Sequence, residues 1–254
     1  MSTHPLYSRI KELGIVVLVP TYNNYKTVTQ VIDSLLIYTP DIIVINDGAT
    51  DSTPQLLQAY ADKVTVLSYY PNKGKGNALI TGFRKAIEMG FSYAITIDSD
   101  GQHFADDLEL FVDEIEKYPH ALIVGSRLLK QENMPGGNTF ANKFSNFWFR
   151  VQTGIAMPDT QSGYRLYPLK KMGSMKLWTK RYEAELEMLV FSAWRGIRLR
   201  AIKIKVFYAS KEERVSHFRP YHDFIRIGLL NSVLVFLAVV YGYPSMAIRR
   251  LFKK

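Results

Sequence analysis

Short apolar runs alternate with amphipathic segments along roughly the first 125 residues of the chain. The apolar runs contain many β-branched residues and end in polar or glycine-rich stretches, which is typical of strands buried on both faces. They cover Gly14–Pro20, Asp41–Asn46, Val64–Tyr69 and Tyr93–Ile97. The segments between them place apolar residues at helical spacing: Tyr25–Tyr38, Asp51 to about Asp62, and Ala78–Met89. This alternation predicts an α/β fold, in which a mostly parallel sheet is flanked by helices on both faces.

The pattern is less regular after residue 105. It predicts helices over Asp106–Lys117, Asn142–Thr153 and Tyr182–Arg195. It also predicts strands over Ala121–Gly125 and Leu199–Tyr208, and a polar loop, Pro158–Tyr167, that runs into a short strand. A chain of 254 residues is long enough for one substantial core. We therefore expect one domain over residues 1–220, followed by a hydrophobic helix and a basic tail over residues 221–254.

The C-terminal segment contains a run of seventeen residues without charge, Ile227–Tyr243. This length is at the lower limit for a membrane span of ~20 residues. Basic residues flank the run on both sides, which argues against a simple crossing and favours a hydrophobic or re-entrant helix at the inner leaflet. We expect Pro244 to end that helix and to return the basic tail to anionic headgroups. The alternative is a helix buried in the core or in an oligomer interface.

Composition narrows the classes of partner. The formal net charge is +9 and the pI is about 9.5, which suggests a polyanionic partner such as nucleic acid, an acidic membrane surface or a phosphorylated substrate. The absence of cysteine excludes disulfides and thiolate metal sites, and fits a reducing compartment. No signal peptide is visible, because Met1–Lys11 lacks an apolar run.

Polar groups follow the carboxyl ends of the predicted strands, which lie at one edge of a parallel sheet and commonly bind ligands. They are Thr21–Asn24, Asp47, the glycine-rich loop Pro71–Asn77, and Asp98-Ser99-Asp100. The two carboxylates of the last group can aim at one point if Gly101 lets the chain curl. Hard oxygen ligands at this spacing suit Mg²⁺ or Mn²⁺ held jointly with substrate phosphates. The alternative is a solvated acidic turn.

Several motifs, taken in order, give these groups a family context. They are VPTYNN, INDGATDST, NKGKGNAL, IDSDGQH, VGSRL, DTQSGYRLY and YEAELEML. Over about residues 14 to 220 the chain resembles the family 2 inverting nucleotide-sugar glycosyltransferases of GT-A fold. Its most similar branch is that of the dolichyl-phosphate mannosyltransferase-like, or polyprenyl-phosphate, glycosyltransferases. The resemblance implies a Rossmann-like sheet and makes residues 1–220 the catalytic domain.

The resemblance also implies roles on the donor side. The residues expected to bind the nucleotide sugar are Pro20, Tyr22, Asn24, Asp47, Lys75 and Gly76. The expected metal shell is Asp98, Asp100 and Gln102, with Mg²⁺ or Mn²⁺ neutralising the diphosphate leaving group. The expected catalytic residues are Asp98, Asp100, Asp159 and Arg127. The backbone of residues 74–76 is expected to allow close approach to the donor.

On the acceptor side the resemblance implies Gln161, Ser162, Gly163, Arg165, Glu183, Glu185, Arg214, Ser216 and His217. A lipid phosphate acceptor is already anionic and needs cations, for which Arg127 and Arg165 stand at motif positions. A hydroxyl acceptor would need a general base, and Asp159 is the first candidate. The segment around Arg214 falls where the family has a basic loop that closes over the donor; the alternative is a solvated linker.

Two departures from the family pattern leave the donor's identity open. Asn24 stands where the family usually has glutamate, and Asn46 and Ala49 stand where it usually has aspartate and serine. These changes remove charge or a hydroxyl near the nucleotide. Asp47, Asp98 and Asp100 remain, so catalysis is expected to be retained.

The first functional hypothesis is a metal-dependent transferase at the cytoplasmic face of the membrane. It would move a sugar from a nucleotide to a polyprenyl (dolichyl or undecaprenyl) phosphate or a similar membrane lipid acceptor. The second is transfer to a hydroxyl of a glycolipid or a cell-surface polysaccharide. The third is a non-catalytic nucleotide- or nucleic-acid-binding module, against which the paired aspartates count because they repel a phosphate backbone. We expect no nucleic-acid partner, and the sugar, base, lipid and oligomeric state stay open.

Overall fold

The computed structural model describes residues 4–127, 136–172, 175–207 and 220–252, with backbone only for 136–140 and 220–224. Arg214, Ser216 and His217 lie outside the described residues. The strands are β1 Ile15–Thr21, β2 Ile42–Asp47, β3 Thr65–Tyr69, β4 Tyr93–Thr96, β5 Leu122–Arg127, β6 Arg165–Pro168 and β7 Leu199–Ile204. The helices are α1 Pro5–Leu13, α2 Val28–Leu36, α3 Thr53–Gln58, α4 Lys75–Glu88, α5 Leu108–Lys117, α6 Gly136–Thr153, α7 Leu169–Met172, α8 Glu183–Trp194, α9 Pro220–Leu237 and α10 Tyr243–Leu251.

The strands form one sheet in the order β3-β2-β1-β4-β6-β5-β7. Strand β6 runs antiparallel to β4 and β5, whereas the other pairs are parallel. The prediction of a mostly parallel sheet is therefore confirmed. Every residue of β1 is buried, because neighbours cover its two edges and helices cover both faces. This burial explains why the strand is an unbroken apolar run.

Successive residues of β1 supply two hydrophobic layers on opposite faces of the sheet. Val17 and Val19 pack with residues of α1, α2 and α5 on one face. Val16 and Leu18 pack with residues of α4, α6, α8 and α9 on the other. The loops that follow β1, β2 and β4 lie at the carboxyl ends of these strands, and the candidate site lies there.

The structure adds a helix that the sequence pattern did not predict. Helix α1 buries Leu6 and Ile10 against the sheet, and Arg9 pairs with Asp113 of α5 at 2.7 Å. Nine residues with only two buried positions give a weak periodic signal. Gly14, which we placed at the start of the first strand, instead ends this helix with φ +65°.

The prediction that Pro244 ends the C-terminal helix is wrong. Helix α9 passes through a π-helical turn, Ala238–Gly242, directly into α10. Pro244 lies in the first turn of α10, directly after the π-helical turn that changes the regular hydrogen-bond pattern. Within the described residues, one helix, Ile225–Leu251, is long and apolar enough to cross a membrane, with a mean hydropathy of 1.9.

This helix has two different apolar faces. One face packs on α6 and α8 through residues four apart: Leu230, Leu234, Ala238 and Gly242. Gly242 allows the close contact, since a Cβ there would lie 2.5 Å from the Trp194 indole. The opposite face is exposed and contains Leu229, Phe236, Val239 and Val240. The alternative of a helix buried in the core therefore fits the face that packs on α6 and α8. The exposed face presents apolar surface of the kind that enters a bilayer.

Candidate functional site

A cleft of about 750 Å³ lies at the carboxyl ends of β1, β2 and β4. It brings together the predicted residues Pro20, Tyr22, Asn24, Asp47, Lys75, Asp98, Asp100 and Gln102. Sequence reasoning missed Arg181 and Tyr182, which close one side of the cleft from the segment before α8. The convergence of four loops at this edge is the arrangement expected for a ligand site in an open α/β sheet.

The loop after β1 is tied to the aspartate loop by side chains. Asn24 donates from Nδ2 to Oγ of Ser99 at 2.7 Å, and Thr27 donates to the Ser99 carbonyl at 2.6 Å. Two buried atoms of this loop, Oγ1 of Thr21 and Oδ1 of Asn24, have no hydrogen-bond partner in the part of the chain described. Because both residues line the cleft, a bound ligand could supply the missing donors.

Asn46, the other departure from the family pattern, has a structural role in the turn after β2. Its Oδ1 accepts a hydrogen bond from the backbone N–H of Ala49 at 3.0 Å, and the side chain is buried. The residue stabilises the turn after β2 as an Asx turn does. It is absent from the cleft lining, so the change from aspartate affects the turn and not the cleft surface.

Asp47 organises the glycine-rich loop. Its carboxylate accepts hydrogen bonds from Nδ2 of Asn72 at 2.9 Å and from the backbone N–H groups of Lys73 at 2.8 Å and Gly74 at 2.9 Å. The side chain is almost wholly buried. The structure thus gives Asp47 partners within the protein, where the resemblance implied a nucleotide contact.

The glycines of this loop make room for protein, not only for a ligand. A Cβ on Gly74 would lie 2.6 Å from the carbonyl oxygen of Lys180, and one on Gly76 would lie 2.9 Å from the carbonyl carbon of the same residue. Gly74 lines the cleft, but Gly76 is buried and does not. The expectation that Gly76 contacts the donor is therefore not supported, because Ala184 and Lys180 lie against it.

Lys75, the first residue of α4, joins two carboxylates. Its Nζ lies 2.7 Å from Oδ1 of Asp98 and 3.0 Å from Oε2 of Glu185. Burial alone would lower the pKa of Lys75, but the charges of Asp98 and Glu185 outweigh it and raise the pKa. Lys75 in turn lowers the pKa of Asp98 against the effect of burial. Glu185, predicted for the sugar side, thus belongs to the same charged cluster as Asp98.

Gly163 lies directly against this cluster. A Cβ at this position would come within 2.6 Å of Oδ2 of Asp98 and 2.8 Å of Nζ of Lys75. Thr96 holds the loop there by donating to the Gly163 carbonyl at 2.6 Å. Of the acceptor-side residues from this loop, Gly163 is therefore the one brought against the donor-side aspartate.

The acidic pair suits a divalent cation bound jointly with substrate. Burial, together with the adjacent charge of Asp98, raises the pKa of Asp100 to about 6. Asp100 accepts one hydrogen bond, from the backbone N–H of Gln102 at 3.0 Å. No group of three or more His, Asp or Glu side chains is placed to hold a metal within the described ranges. Two carboxylates completed by phosphate oxygens and water are what Mg²⁺ usually takes, so these residues fit it.

Asp159 does not have the environment of a general base. It is wholly buried and forms a bidentate ion pair with Arg127, at 2.7 Å from Nε and 3.0 Å from Nη2. It also accepts from Asn142 at 2.6 Å and from the backbone N–H of Gln161 at 3.0 Å. Burial would raise the pKa of Asp159, but the hydrogen bonds and charge of Arg127 outweigh it and lower the pKa. We correct the interpretation of Asp159 accordingly, because its lone pairs are occupied and it lies outside the cleft lining.

Arg165 is likewise engaged inside the protein. It is wholly buried and donates to the carbonyl groups of Ser162 at 2.7 Å, Glu185 at 2.7 Å and Thr160 at 2.8 Å. It stabilises the loop before β6, and its engagement by these carbonyl groups counts against the expected contact with an acceptor phosphate. Ser162 is buried as well, whereas Gln161 is exposed.

The acidic helix α8 contains a buried carboxylate that sequence reasoning passed over. Glu187 accepts from the backbone N–H groups of Trp178 at 2.7 Å and Thr179 at 3.0 Å. These bonds fix the segment that leads to Arg181. Its signal in the sequence was a third glutamate in a helix that is otherwise almost entirely apolar. Glu183 and Glu185 are buried too, and each keeps one oxygen without a partner among the described residues.

Comparisons with known proteins agree with the geometry. The family model described as glycosyl transferase family 2 matches residues 16–170. A UDP-N-acetylglucosamine–dolichyl-phosphate N-acetylglucosaminyltransferase from Methanococcus voltae is 30% identical over 215 residues, covering 76% of this chain and 86% of the relative. A polyprenol monophosphomannose synthase from Mycolicibacterium smegmatis is 26% identical over 214 residues, covering 79% of each chain.

Among solved structures, glucosyl-3-phosphoglycerate synthase from Mycobacterium tuberculosis with Mn²⁺, UDP and glucosyl-3-phosphoglycerate has a TM-score of 0.64. The match covers 92% of this chain and 81% of that one at 19% identity. At this identity the structural similarity is evidence for the fold alone, and it confirms the predicted GT-A architecture. The family model, by contrast, spans more than half of the chain, and with it the predicted family is confirmed: the chain belongs to glycosyl transferase family 2.

Proposed function

We propose that the protein transfers a sugar, with inversion, from a nucleotide-sugar donor to a polyprenyl phosphate. The observation that carries the proposal is the charged cluster of Lys75, Asp98 and Glu185, with Asp100 beside it, at the edge of the cleft. Such a cluster suits a diphosphate leaving group. The relatives from Methanococcus and Mycolicibacterium are named for dolichyl phosphate and polyprenol acceptors, which supports the choice of acceptor.

The donor's nucleotide would lie along the loops after β1 and β2. Pro20, Tyr22 and Asn24 line that part of the cleft, and the unpartnered Oδ1 of Asn24 would accept a hydrogen bond from the base or ribose. Asp47 would act indirectly, by holding the glycine-rich loop. This arrangement leaves the identity of the base to the contacts of Asn24 and its neighbours.

Asp98 and Asp100, with Gln102 beside them, would hold Mg²⁺ or Mn²⁺, which neutralises charge at the diphosphate when bound. Lys75 places a permanent cation beside the same leaving group and keeps Asp98 ionised. Glu185 is buried and absent from the cleft lining, so it would act on the site through its ion pair with Lys75 at 3.0 Å. These residues therefore orient the donor and stabilise the charge that develops as the leaving group departs.

The acceptor needs no base if it is a phosphate. One of its anionic oxygens forms the new bond to the anomeric carbon, and the bond from that carbon to the nucleoside diphosphate breaks on the opposite side. A hydroxyl acceptor would need a carboxylate to take its proton, and Asp159, our candidate for that task, is fully engaged by Arg127. The geometry therefore favours the phosphate over the hydroxyl acceptor.

Membrane association follows from the exposed apolar face of α9 and α10. Basic residues near the helix ends, including Arg226, Arg249 and Arg250, would contact anionic headgroups. A nucleotide-sugar donor implies the cytoplasmic face, where the basic flanks also belong. The helix would lie with one face on the domain and the other in the bilayer.

The test is an assay of purified protein with a panel of nucleotide sugars and a short polyprenyl phosphate, with Mg²⁺, Mn²⁺ or EDTA. We expect labelled glycosyl lipid phosphate with one donor, and none in EDTA. The matched control acceptor is the prenyl alcohol of the same chain length. Transfer to the alcohol but not to the phosphate would contradict the proposal.

A further inference from the structure

A second hollow, of about 520 Å³, lies between the segment before α8 and the first half of α9. We call it the α9 groove and define it by Trp178, Lys180, Arg181, Arg226, Leu229 and Val233. One of the residues that the family resemblance implied, Glu183, also lines it. It differs from the cleft in combining apolar side chains with cations on both sides: α9 contributes Arg226, Leu229 and Val233, and the segment before α8 contributes Trp178, Lys180 and Arg181.

The apolar side chains that α9 contributes are the start of its exposed face. Leu229 is 65% exposed, Val233 is 47% exposed, and Trp178 across the groove is 59% exposed. This apolar face continues along the helix into Phe236 and Val240, which are also exposed. A chain bound here would therefore pass from the groove onto the surface that we assign to the membrane.

The cations that line the groove are Lys73, Lys180, Arg181 and, on α9, Arg226. Within the described residues, none of these four forms an ion pair with a carboxylate. One acid, Glu183, also lines the groove, so cations outnumber carboxylates there. Unpaired cations beside apolar side chains match a ligand with an anionic head and an apolar tail.

The α9 groove is continuous with the cleft. Arg181 lines both hollows, and Lys73 is adjacent in sequence to Gly74 of the cleft. The segment between them is fixed, because the carbonyl of Lys180 accepts from the N–H of Asn77 at 3.1 Å and Glu187 holds Trp178 and Thr179. An anion held at Arg181 would thus stand at the entrance to the donor site.

We propose that the α9 groove binds the polyprenyl phosphate acceptor, with its phosphate at Lys180 and Arg181 and its first isoprene units along Leu229 and Val233. This inference rests on the proposed function and gives it an acceptor site. The two arginines expected for this task from the sequence are engaged elsewhere, Arg165 by carbonyl groups and Arg127 by Asp159. From the groove, a phosphate oxygen would form the bond to the anomeric carbon while the nucleoside diphosphate leaves with the electrons of the broken bond.

The test compares two acceptors of different length, geranyl phosphate and geranylgeranyl phosphate, in detergent-free solution with the full chain. Lys180→Glu should raise the KM for both acceptors about tenfold, because a charge-assisted contact becomes repulsive. Leu229→Ser should raise the KM for both acceptors about fivefold, because a contact with the first isoprene units, which both acceptors share, is lost. The KM for the nucleotide sugar should stay at the wild-type value in both variants.

Matched controls lie on the same C-terminal helix outside the groove. Arg250→Glu reverses an exposed charge, and Ile248→Ser removes an exposed apolar side chain. Both should weaken binding to vesicles that contain phosphatidylglycerol while leaving the KM for the soluble acceptors unchanged. If Lys180→Glu behaves in the same way, the groove is a headgroup contact and the proposal is overturned.

Two further outcomes separate this inference from the proposed function. An active wild type whose acceptor KM is unchanged by Lys180→Glu and Leu229→Ser overturns the α9 groove alone. A wild type that transfers sugar only to a prenyl alcohol overturns the proposed function, and the acceptor site with it. The expected pattern, with acceptor KM raised and donor KM constant, excludes misfolding as the cause.

Discussion

Two ion pairs, Lys75–Asp98 and Arg127–Asp159, come from motifs of the same family pattern, yet their surroundings differ. Asp159 is wholly buried and accepts hydrogen bonds on both oxygens from side chains and backbone alike. Asp98 lines the cleft, has a second carboxylate beside it in Asp100, and is paired only with Lys75 within the described chain. The first pair is complete without a ligand, whereas the second leaves charge uncompensated.

The difference shows what separates structural from catalytic carboxylates here. A buried carboxylate with all its lone pairs used stabilises a loop and has no capacity left for chemistry. A carboxylate whose pKa is raised by burial and by the charge of a neighbouring carboxylate is prepared for a cation or a proton. The two kinds of carboxylate therefore differ in whether their hydrogen-bonding capacity is fully used within the protein. The sequence does not show this property.

The largest effect is expected for Asp100→Asn, which tests the incomplete site. Losing a carboxylate that holds a catalytic cation should lower kcat about 1000-fold. Thermal unfolding of the protein without metal should not shift downward, because the substitution removes repulsion with Asp98. Asp106→Asn is the control, since Asp106 is an exposed carboxylate that is paired with Lys205 and is absent from the cleft lining. Wild-type turnover of Asp100→Asn in EDTA would rule out the metal assignment.

For Asp159→Asn, which breaks the Arg127–Asp159 pair, the main expected effect is a loss of stability. Removing one charge of a buried pair should lower the free energy of unfolding by about 3 kcal/mol, measured in urea. The exposed pair Arg9–Asp113 supplies the control, because Asp113→Asn should cost less than about 1 kcal/mol. A double variant that also carries Arg127→Met should lose less than the sum of the single changes. If Asp159→Asn instead keeps full stability and loses turnover, the two pairs have the same kind of role.

Much of the fold was accessible from the sequence, since long periodic segments fix element type. The strands β1, β2, β3 and β4 and the helices between them follow the predicted order. The helix α1 and the continuity of α9 through Pro244 were not predicted. A short helix gives little periodicity, and whether proline ends a helix depends on where the next turn begins.

The site was predictable in position but not in detail. Motif order placed Asp98, Asp100 and Asp47 at one edge of the sheet, as observed. The partners of Asp47 and Asp159 could not be read from the chain, because they come from loops brought together by tertiary folding. Arg181 was missed for the same reason: its segment has no motif of its own, and it is held at the cleft by tertiary contacts with residues 74–77 and with Glu187.

A smaller effect is expected at Gly163, where the loop before β6 meets Asp98 and Lys75. Because a Cβ there would press on Asp98 and Lys75, Gly163→Ala should displace the pair and lower kcat about tenfold, equivalent to ~1.4 kcal/mol of transition-state stabilisation. The matched control is Gly228→Ala in α9, where a Cβ would meet no atom within 4 Å. That control should leave kcat unchanged and stabilise the helix slightly. Equal kcat values for both variants would show that Asp98 tolerates displacement.

The smallest expected effect is the pH dependence of the stability that the Arg127–Asp159 pair contributes. It is small because protonation of one carboxyl group removes only part of the interaction. The pKa of Asp159 is lowered in the folded protein: burial opposes this, but the hydrogen bonds and charge of Arg127 outweigh it. A lowered folded pKa means that the ion pair stabilises the protein fully above the unfolded value of ~3.9, and that this contribution is lost as the pH falls through the folded pKa. The stability difference between wild type and Asp159→Asn, from urea titrations, should therefore be constant from about pH 7 to 5 and shrink below about pH 4. The same comparison for Asp113→Asn should be nearly flat, because exposed pairs contribute little. A difference for Asp159→Asn that instead grows as the pH falls would mean that the folded pKa is raised, and Asp159 would return as a candidate base.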